Sequence, residues 1–254
     1  MSELPPIRVD ALTMAFGTRV VQRDLSFDIQ RGDVFIIMGG SGCGKSTLLK
    51  HMIGLLRPAA GQILYDGVDY WTASDAQQRQ LRRNWGVSFQ SGSLFSAMTL
   101  AENIALPLQH YTRRSPAEID ELVHYKLSLV GLGGFEDFYP AELSGGMQKR
   151  ASLARAIALD PDILMLDEPS AGLDPVSSER LDELILQLRD SLGATVVVVT
   201  HELASIFAIG NNAVFLDGET KTMLDYGDPK QLARHSEHAA VRRFLGRGNL
   251  LAGH

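Results

Sequence analysis

An unbroken apolar run, Val34-Phe35-Ile36-Ile37-Met38, leads into Gly39-Gly40-Ser41-Gly42-Cys43-Gly44-Lys45-Ser46-Thr47 and then into Leu48-Leu49-Lys50-His51-Met52-Ile53. That order is strand, glycine loop, helix, with the spacing G-x-x-x-x-G-K-[ST]. It constrains the fold strongly, because a strand buried on both faces that feeds a helix belongs to a parallel α/β sheet. Glycines let successive backbone N–H groups converge on one point and form an anion-binding nest, to which the positive end of the helix adds. Lys45 is placed to reach the β- and γ-phosphates of a nucleotide, and the Ser46 hydroxyl to take a position on Mg²⁺. The whole loop from Gly39 to Thr47 is therefore a candidate nucleotide site. The Cys43 thiol, lying within it, is expected to be shielded by bound ATP.

The rest of the composition narrows the class. A chain of 254 residues, 45% hydrophobic and 21% charged, can bury a substantial core. It has no apolar run long enough to span a bilayer and no leader of the secretory kind, so a protein that stays where it was made is expected. A formal charge of −6 argues against a nucleic-acid surface. The single cysteine rules out an intrachain disulfide, and a reducing cytoplasm is the expected setting.

Along the chain, Ile7 to Ile29 alternates apolar and polar positions around Phe16-Gly17, which predicts short antiparallel strands. Gly61 to Val68 continues that layer, with Asp66-Gly67 as the turn. Ser74 to Asn84 reads as a short exposed helix and Gly86 to Gln90 as a strand ending in glutamine. Thr99 with Glu102, and Ser115-Pro116, mark two helix starts, the second helix closing at Gly131. Further on, Ile163–Leu166, Thr195–Val199 and Ala213–Leu216 are strands suited to the inside of a parallel sheet, and Val176–Leu192 is a helix with one apolar stripe. The expected architecture is α/β: a single domain over 1–254, with a mainly parallel core and an antiparallel part at about 1–90 and 160–245. A helical subdomain at about 91–159 and a loose tail at 246–254 complete it.

Asp167-Glu168 closes one of those strands, where α/β sheets present functional groups. Two carboxylates there divide naturally into Asp167 on Mg²⁺ and Glu168 on the water that attacks the γ-phosphate. Gln90 can reach Mg²⁺ or that water with its amide oxygen, and His201, after the Val196–Val199 strand, can hydrogen-bond a γ-phosphate. Leu143-Ser144-Gly145-Gly146-Met147-Gln148-Lys149-Arg150 puts a second helix-start anion site ahead of a helix over Gln148–Leu159. One nucleotide does not need two such sites on one chain, so the second is read as serving the ATP of another copy.

Taken together these segments resemble the ATP-binding subunits of ABC transporters, over nearly the whole chain. Gly39 to Ser46 looks like Walker A, and Ile163 to Asp167 like Walker B with Glu168 as the catalytic glutamate. Gln90 matches the Q-loop, Ser144-Gly145-Gly146 the signature motif, Ser170-Ala171-Gly172-Leu173-Asp174 the D-loop and His201 the switch histidine. Phe16 stands where the family stacks an aromatic ring on adenine. The resemblance implies a P-loop NTPase in which two ATPs lie between two head-to-tail copies, each bound by Walker A of one and Ser144-Gly145-Gly146 of the other, with Asp174 beside them. It also implies membrane permease subunits as partners, their coupling helix received near Gln90 to Asn103, where Leu94, Phe95, Met98 and Leu100 are expected to be partly exposed. The signature reads LSGGM, with Gln148 one place late, so Met147 takes no role from the family.

A narrower resemblance lies in Phe89-Gln90-Ser91-Gly92-Ser93-Leu94-Phe95-Ser96-Ala97-Met98-Thr99. With Glu102-Asn103, Pro107-Leu108, His110-Tyr111-Thr112 and the closing Val241-Arg242-Arg243-Phe244-Leu245, it is similar to the Mla/MCE branch. Members of that branch move phospholipids across the bacterial envelope. The branch implies a place on the cytoplasmic side of the inner membrane and an MCE-type lipid-binding subunit in the complex. The D-loop departs from many relatives in carrying Ala171 and Leu173. Rival readings are a GTPase or small-molecule kinase, a soluble ABC protein acting on DNA or ribosomes, and an ABC importer ATPase for amino acids, metal ions or another solute. The first lacks an N-K-x-D motif, and the second a duplicate module or coiled coil. Only the Ser91 to Thr112 stretch speaks against the third.

Overall fold

The structure, a computed structural model, describes residues 4–90 and 93–249. Ser91, Gly92 and the end of the tail from 250 lie outside the described residues. The chain forms two compact units, one from the chain up to Arg82 together with that from Thr195 on, the other from Arg83–Ala194.

The first unit opens with β1 (Ile7–Phe16), β2 (Arg19–Ile29), β3 (Val34–Gly39), α1 (Lys45–Met52), β4 (Ala60–Tyr65), β5 (Val68–Asp69) and α2 (Asp75–Arg83). The second holds β6 (Trp85–Ser88), α3 (Leu100–Tyr111), α4 (Pro116–Leu129), α5 (Gly145–Ala156), β7 (Ile163–Asp167) and α6 (Pro175–Leu192). The chain then returns to the first for β8 (Thr195–Val199), α7 (Leu203–Ile209), β9 (Asn212–Leu216), β10 (Met223–Gly227), α8 (Pro229–His235) and α9 (Ala239–Asn249).

In the first unit β2, β1, β4 and β5 make an antiparallel layer in that order. Bulges interrupt the β1–β2 and β1–β4 register, with Ala11 at φ 45° and Asp24 at φ 52°. Beside this layer β3 runs parallel to β8 on one side and β9 on the other, and β10 returns antiparallel to β9. Val34 to Met38 and Val196 to Val199 are buried almost completely, as a strand covered on both faces requires. α1 packs against β1, β3 and β8, so the glycine loop is held between the two layers of this unit.

In the second unit β6 pairs in parallel with β7, and α3, α4 and α5 pack on one another with α5 against β6. The helix starts are chemically explicit. Thr99 and Glu102 form a reciprocal capping box, as do Ser115 and Glu118, and each satisfies backbone donors that a first turn leaves unpaired. α6 buries Leu181, Leu184, Ile185 and Leu188 along one stripe.

Three expectations need correction. Leu100, expected to be partly exposed, is fully buried, while Phe95 is exposed and Leu94 and Met98 are half-buried. The helix expected from Gln148 begins at Gly145, because the Ser144 hydroxyl accepts from Met147 N and caps the turn despite its two glycines. The stretch from Gly246, expected to be loose, continues α9 to Asn249 after Val241 and Leu245 are buried.

Candidate functional site

The glycine loop is shaped by close approaches that only glycine allows. Gly39 has φ 147°, and a Cβ there would lie 2.3 Å from the Leu216 carbonyl oxygen and 2.8 Å from Cys43 Sγ. Gly44 has φ 105°, and a Cβ there would meet Val21 Cγ1 at 2.8 Å. By contrast, a Cβ on Gly40 or Gly42 would meet nothing within 4 Å. The loop is thus pinned against β2 and β9 on one side and open on the other, the form of an anion cradle. Lys45, nearly buried, reaches back to donate to Gly39 O at 3.0 Å and Gly40 O at 3.1 Å, which holds its ammonium across the loop. Ser46 and Thr47 follow in the first turn of α1, both half-buried.

Two further residues of this unit stabilise the loop. Gln22 on β2 is fully buried, and its Nε2 donates to Cys43 O at 2.7 Å and Asp217 O at 2.8 Å. His51, in the last turn of α1, is buried with Nδ1 2.8 Å from Thr47 O, and burial pushes its pKa down. The Cys43 thiol is only 2% exposed and tucked under Gly39, and burial pushes its pKa up. The expectation that nucleotide shields this thiol is therefore corrected: the protein itself already covers it.

Phe16 ends β1 and is 54% exposed, which excludes a core role for its ring. His201 is exposed between β8 and α7, one residue after the buried Thr200, whose Oγ1 accepts from Glu202 N at 3.1 Å.

In the second unit Asp167 closes β7 and Glu168 follows it, both buried. Glu168 has φ 47°, a left-handed conformation that costs a side-chain-bearing residue about 1–2 kcal/mol. Its carbonyl accepts from Ala171 N at 3.2 Å, closing a tight turn, and Leu173 N donates to Ser170 O at 3.0 Å to close the next. Asp174 then caps α6, accepting from Val176 N and Ser177 N. Hydrogen bonds from the Ser177 side chain and these amides hold its carboxyl below the usual range. Gln90 is exposed and lies two residues past the end of β6 instead of closing it.

Ser144 and Gly145 are exposed at the start of α5. Ser144 borders a cavity of about 400 Å³ that is also lined by Gly146, Met147, Leu173 and Ser177. The signature-like and D-loop-like segments therefore adjoin one another in this unit. Sequence reasoning passed over Lys149, whose Nζ donates to Gln90 O at 2.8 Å and Glu168 O at 3.3 Å. It also passed over Asn103, fully buried, which accepts from Phe95 N and donates to Phe95 O, Met98 O and Thr99 O. Asn103 thereby shapes the 93–99 segment that presents Phe95. Arg155 adds to this by lying 4.6 Å over the Phe95 ring and donating to Ser93 O.

The donor set suits nucleotide with a hard divalent cation. In the first unit the loop offers N–H groups and an ammonium to phosphate and Ser46 a hydroxyl, and in the second unit, taken by itself, Asp167 offers a carboxylate of the kind Mg²⁺ prefers. No described helix is long and apolar enough to cross a membrane.

Comparison with known proteins agrees. A family profile described as "ABC transporter" matches residues 22–171, more than half of the chain. The chain is 43% identical over 239 residues to "Probable ribonucleotide transport ATP-binding protein mkl" of Mycobacterium leprae, spanning 94% of this chain and 68% of that protein. It is 40% identical over 239 residues to "Intermembrane phospholipid transport system ATP-binding protein MlaF" of Haemophilus influenzae, spanning 94% of this chain and 89% of that protein. Among solved structures, "Dimeric structure of a post-hydrolysis state of the ATP-binding cassette MJ0796 bound to ADP and Pi" superposes with a TM-score of 0.78 at 29% identity, over 87% of this chain and 98% of that one.

Proposed function

This chain belongs to the ABC transporter family as an ATP hydrolase, and from that premise we propose that it powers phospholipid transport across a bacterial envelope. The observation that carries the substrate is the likeness to the intermembrane phospholipid transport protein, which holds over 89% of that protein's length. The mycobacterial relatives are named for ribonucleotide transport, and the chain spans only about two thirds of their length. Their name supplies the second reading to be tested.

In the proposed mechanism the N–H groups of Gly39 to Thr47 and the Lys45 ammonium bind the ATP phosphates, with Phe16 against the adenine. Ser46, Asp167 and Gln90 would hold Mg²⁺, which when bound would supply positive charge at the phosphates. Glu168 accepts a proton from the attacking water, and His201 hydrogen-bonds the γ-phosphate. Ser144, Gly145, Gly146 and Asp174 act on the nucleotide of a second, head-to-tail copy. The MJ0796 cassette, solved as a dimer, supports that arrangement. The other partners are permease subunits and an MCE-type lipid-binding subunit, with this chain peripheral on the cytoplasmic side of the inner membrane. The domain plan goes with this reading: an ATPase core at about 1–90 and 160–245 and a helical subdomain at about 91–159.

The test is Glu168→Gln in the complex with its membrane partner. It is expected to bind ATP but lose turnover and to trap the two-copy state, since only water activation is removed. Phospholipid bound to the purified complex, and vesicle-to-vesicle phospholipid transfer that needs ATP, support the substrate. ATPase stimulated by ribonucleotides with no lipid bound would favour the second reading.

A further inference from the structure

Lys149 has no part in the scheme above, yet it touches two segments that do. It lies on α5, the helix capped by Ser144, and its ammonium donates to the carbonyls of Gln90 and Glu168 at 2.8 and 3.3 Å. Both carbonyls lie just past the ends of strands, beyond the regular ladder. Glu168 is also the residue held at φ 47°. Its carbonyl receives Ala171 N as well, so this oxygen is served by one neutral and one charged donor. The charged donor reaches this oxygen from a packed helix, so its position is not set by the turn itself.

We propose that Lys149 is a positioning residue for ATP hydrolysis, tying the backbones of Gln90 and Glu168 to the helix that carries Ser144. The inference rests on the reading of Glu168 as the group that activates water. The Glu168 side chain is 6% exposed, so its carboxylate follows its backbone. Without Lys149 the turn at Glu168 keeps its Ala171 bond but can rock, and water activation tolerates little misplacement. An ammonium suits this role because it carries several donors and can serve two carbonyls at once. Movement of the segment around Gln90 is then felt at Glu168 through one side chain. Binding of ATP phosphates does not use Lys149, so affinity and turnover separate.

The experiment compares Lys149→Met, of similar length without a donor, with Lys149→Arg and Glu168→Gln, each in the full chain with its membrane partner. Lys149→Met is expected to lower kcat about tenfold with KM, ATP affinity and urea midpoint unchanged, and Lys149→Arg, with several donors in a fork, to restore turnover. A merely structural role would move affinity and the urea midpoint together with kcat, and that result overturns the proposal. So does Lys149→Met turning over like the parent while Glu168→Gln is inactive. If Glu168→Gln itself keeps full turnover, the reading of Glu168 fails first and this inference with it. Should Lys149→Met not fold, Lys149→Gln, which keeps an amide donor, is expected to give an intermediate kcat at unchanged affinity. Parental kcat in that variant overturns the proposal as well.

Discussion

Replacing Gln22 with leucine should weaken ATP binding as well as folding, because the side chain holds the glycine loop from behind. Leucine is close to glutamine in volume, so little cavity opens. Two hydrogen bonds disappear, and the Cys43 and Asp217 carbonyls are each left short of a donor, at a cost of about 1–3 kcal/mol apiece. Against this, Gln22 Oε1 is buried with no hydrogen-bond partner among the described residues, and relieving such a group returns about 1–3 kcal/mol. The relief offsets about half of that cost, and the folding free energy should fall by about 1–3 kcal/mol. Binding has no such offset. A trans peptide points its carbonyl and the following N–H in opposite directions. The bond that holds Cys43 O on the β2 side therefore fixes Gly44 N–H on the other, where the phosphates are proposed to lie. Gly44 at φ 105° has no side chain to hold the plane instead. Weakening one charge-assisted hydrogen bond to phosphate should raise the ATP Kd roughly tenfold. Isothermal titration with ATP and urea unfolding of the same preparation measure both quantities. An unchanged Kd, whatever the stability loss, would refute the reasoning and make Gln22 a core residue only.

Two further outcomes follow from buried groups. Cys43, covered and with its pKa pushed up by burial, should react slowly with a maleimide at neutral pH whether or not ATP is present, and fully once unfolded in urea. Rapid labelling of the folded protein that ATP blocks, read by mass spectrometry, would show that the loop opens far enough to expose the thiol. His51, buried with its pKa pushed down, binds its proton more weakly folded than unfolded. Its contribution to stability is therefore complete above about pH 6.5, the unfolded value, and lost as pH falls through it toward the lower folded value. His51→Gln should flatten the loss of urea midpoint between pH 7.5 and 5.5, and identical slopes in parent and variant would contradict this.

What could be read from the sequence was what local chemistry decides. The glycine loop, the capping boxes at Thr99 and Ser115, and the stripe of α6 each depend on residues a few positions apart. The phase of β2 could not be read this way. Leu25, Phe27 and Ile29 are buried at odd positions, but the irregularity around Asp24 shifts the alternation and brings Gln22 inside. β10 gave no signal because all its residues are half-buried, so no two-residue period exists to detect. Gly145 and Gly146 argued for a later start to α5, and the Ser144 cap overrode their poor helix propensity. Lys149 sat in the quoted motif, yet its partners are 59 and 19 residues away, a separation that no local pattern encodes.

The residues that sequence reasoning passed over share one physical task. Gln22 donates to the carbonyls of Cys43 and Asp217, Lys149 to those of Gln90 and Glu168, and Asn103 to those of Phe95, Met98 and Thr99. Each of these carbonyls lies in a loop or at a strand or helix end, where the regular ladder stops and an oxygen withdrawn from water still needs a donor. A functional loop must hold an irregular shape without that ladder. Some motif residues help, as Lys45 does across the glycine loop and Ser144 and Asp174 do at helix starts, yet they leave other carbonyls of these segments unserved. The further donors come from neighbouring elements, as the buried Gln22 and Asn103 and the half-buried Lys149, each with two or more N–H groups. That is why the motifs identify the chemistry of this chain, while the shape on which the chemistry depends is set by residues outside or at the margin of them.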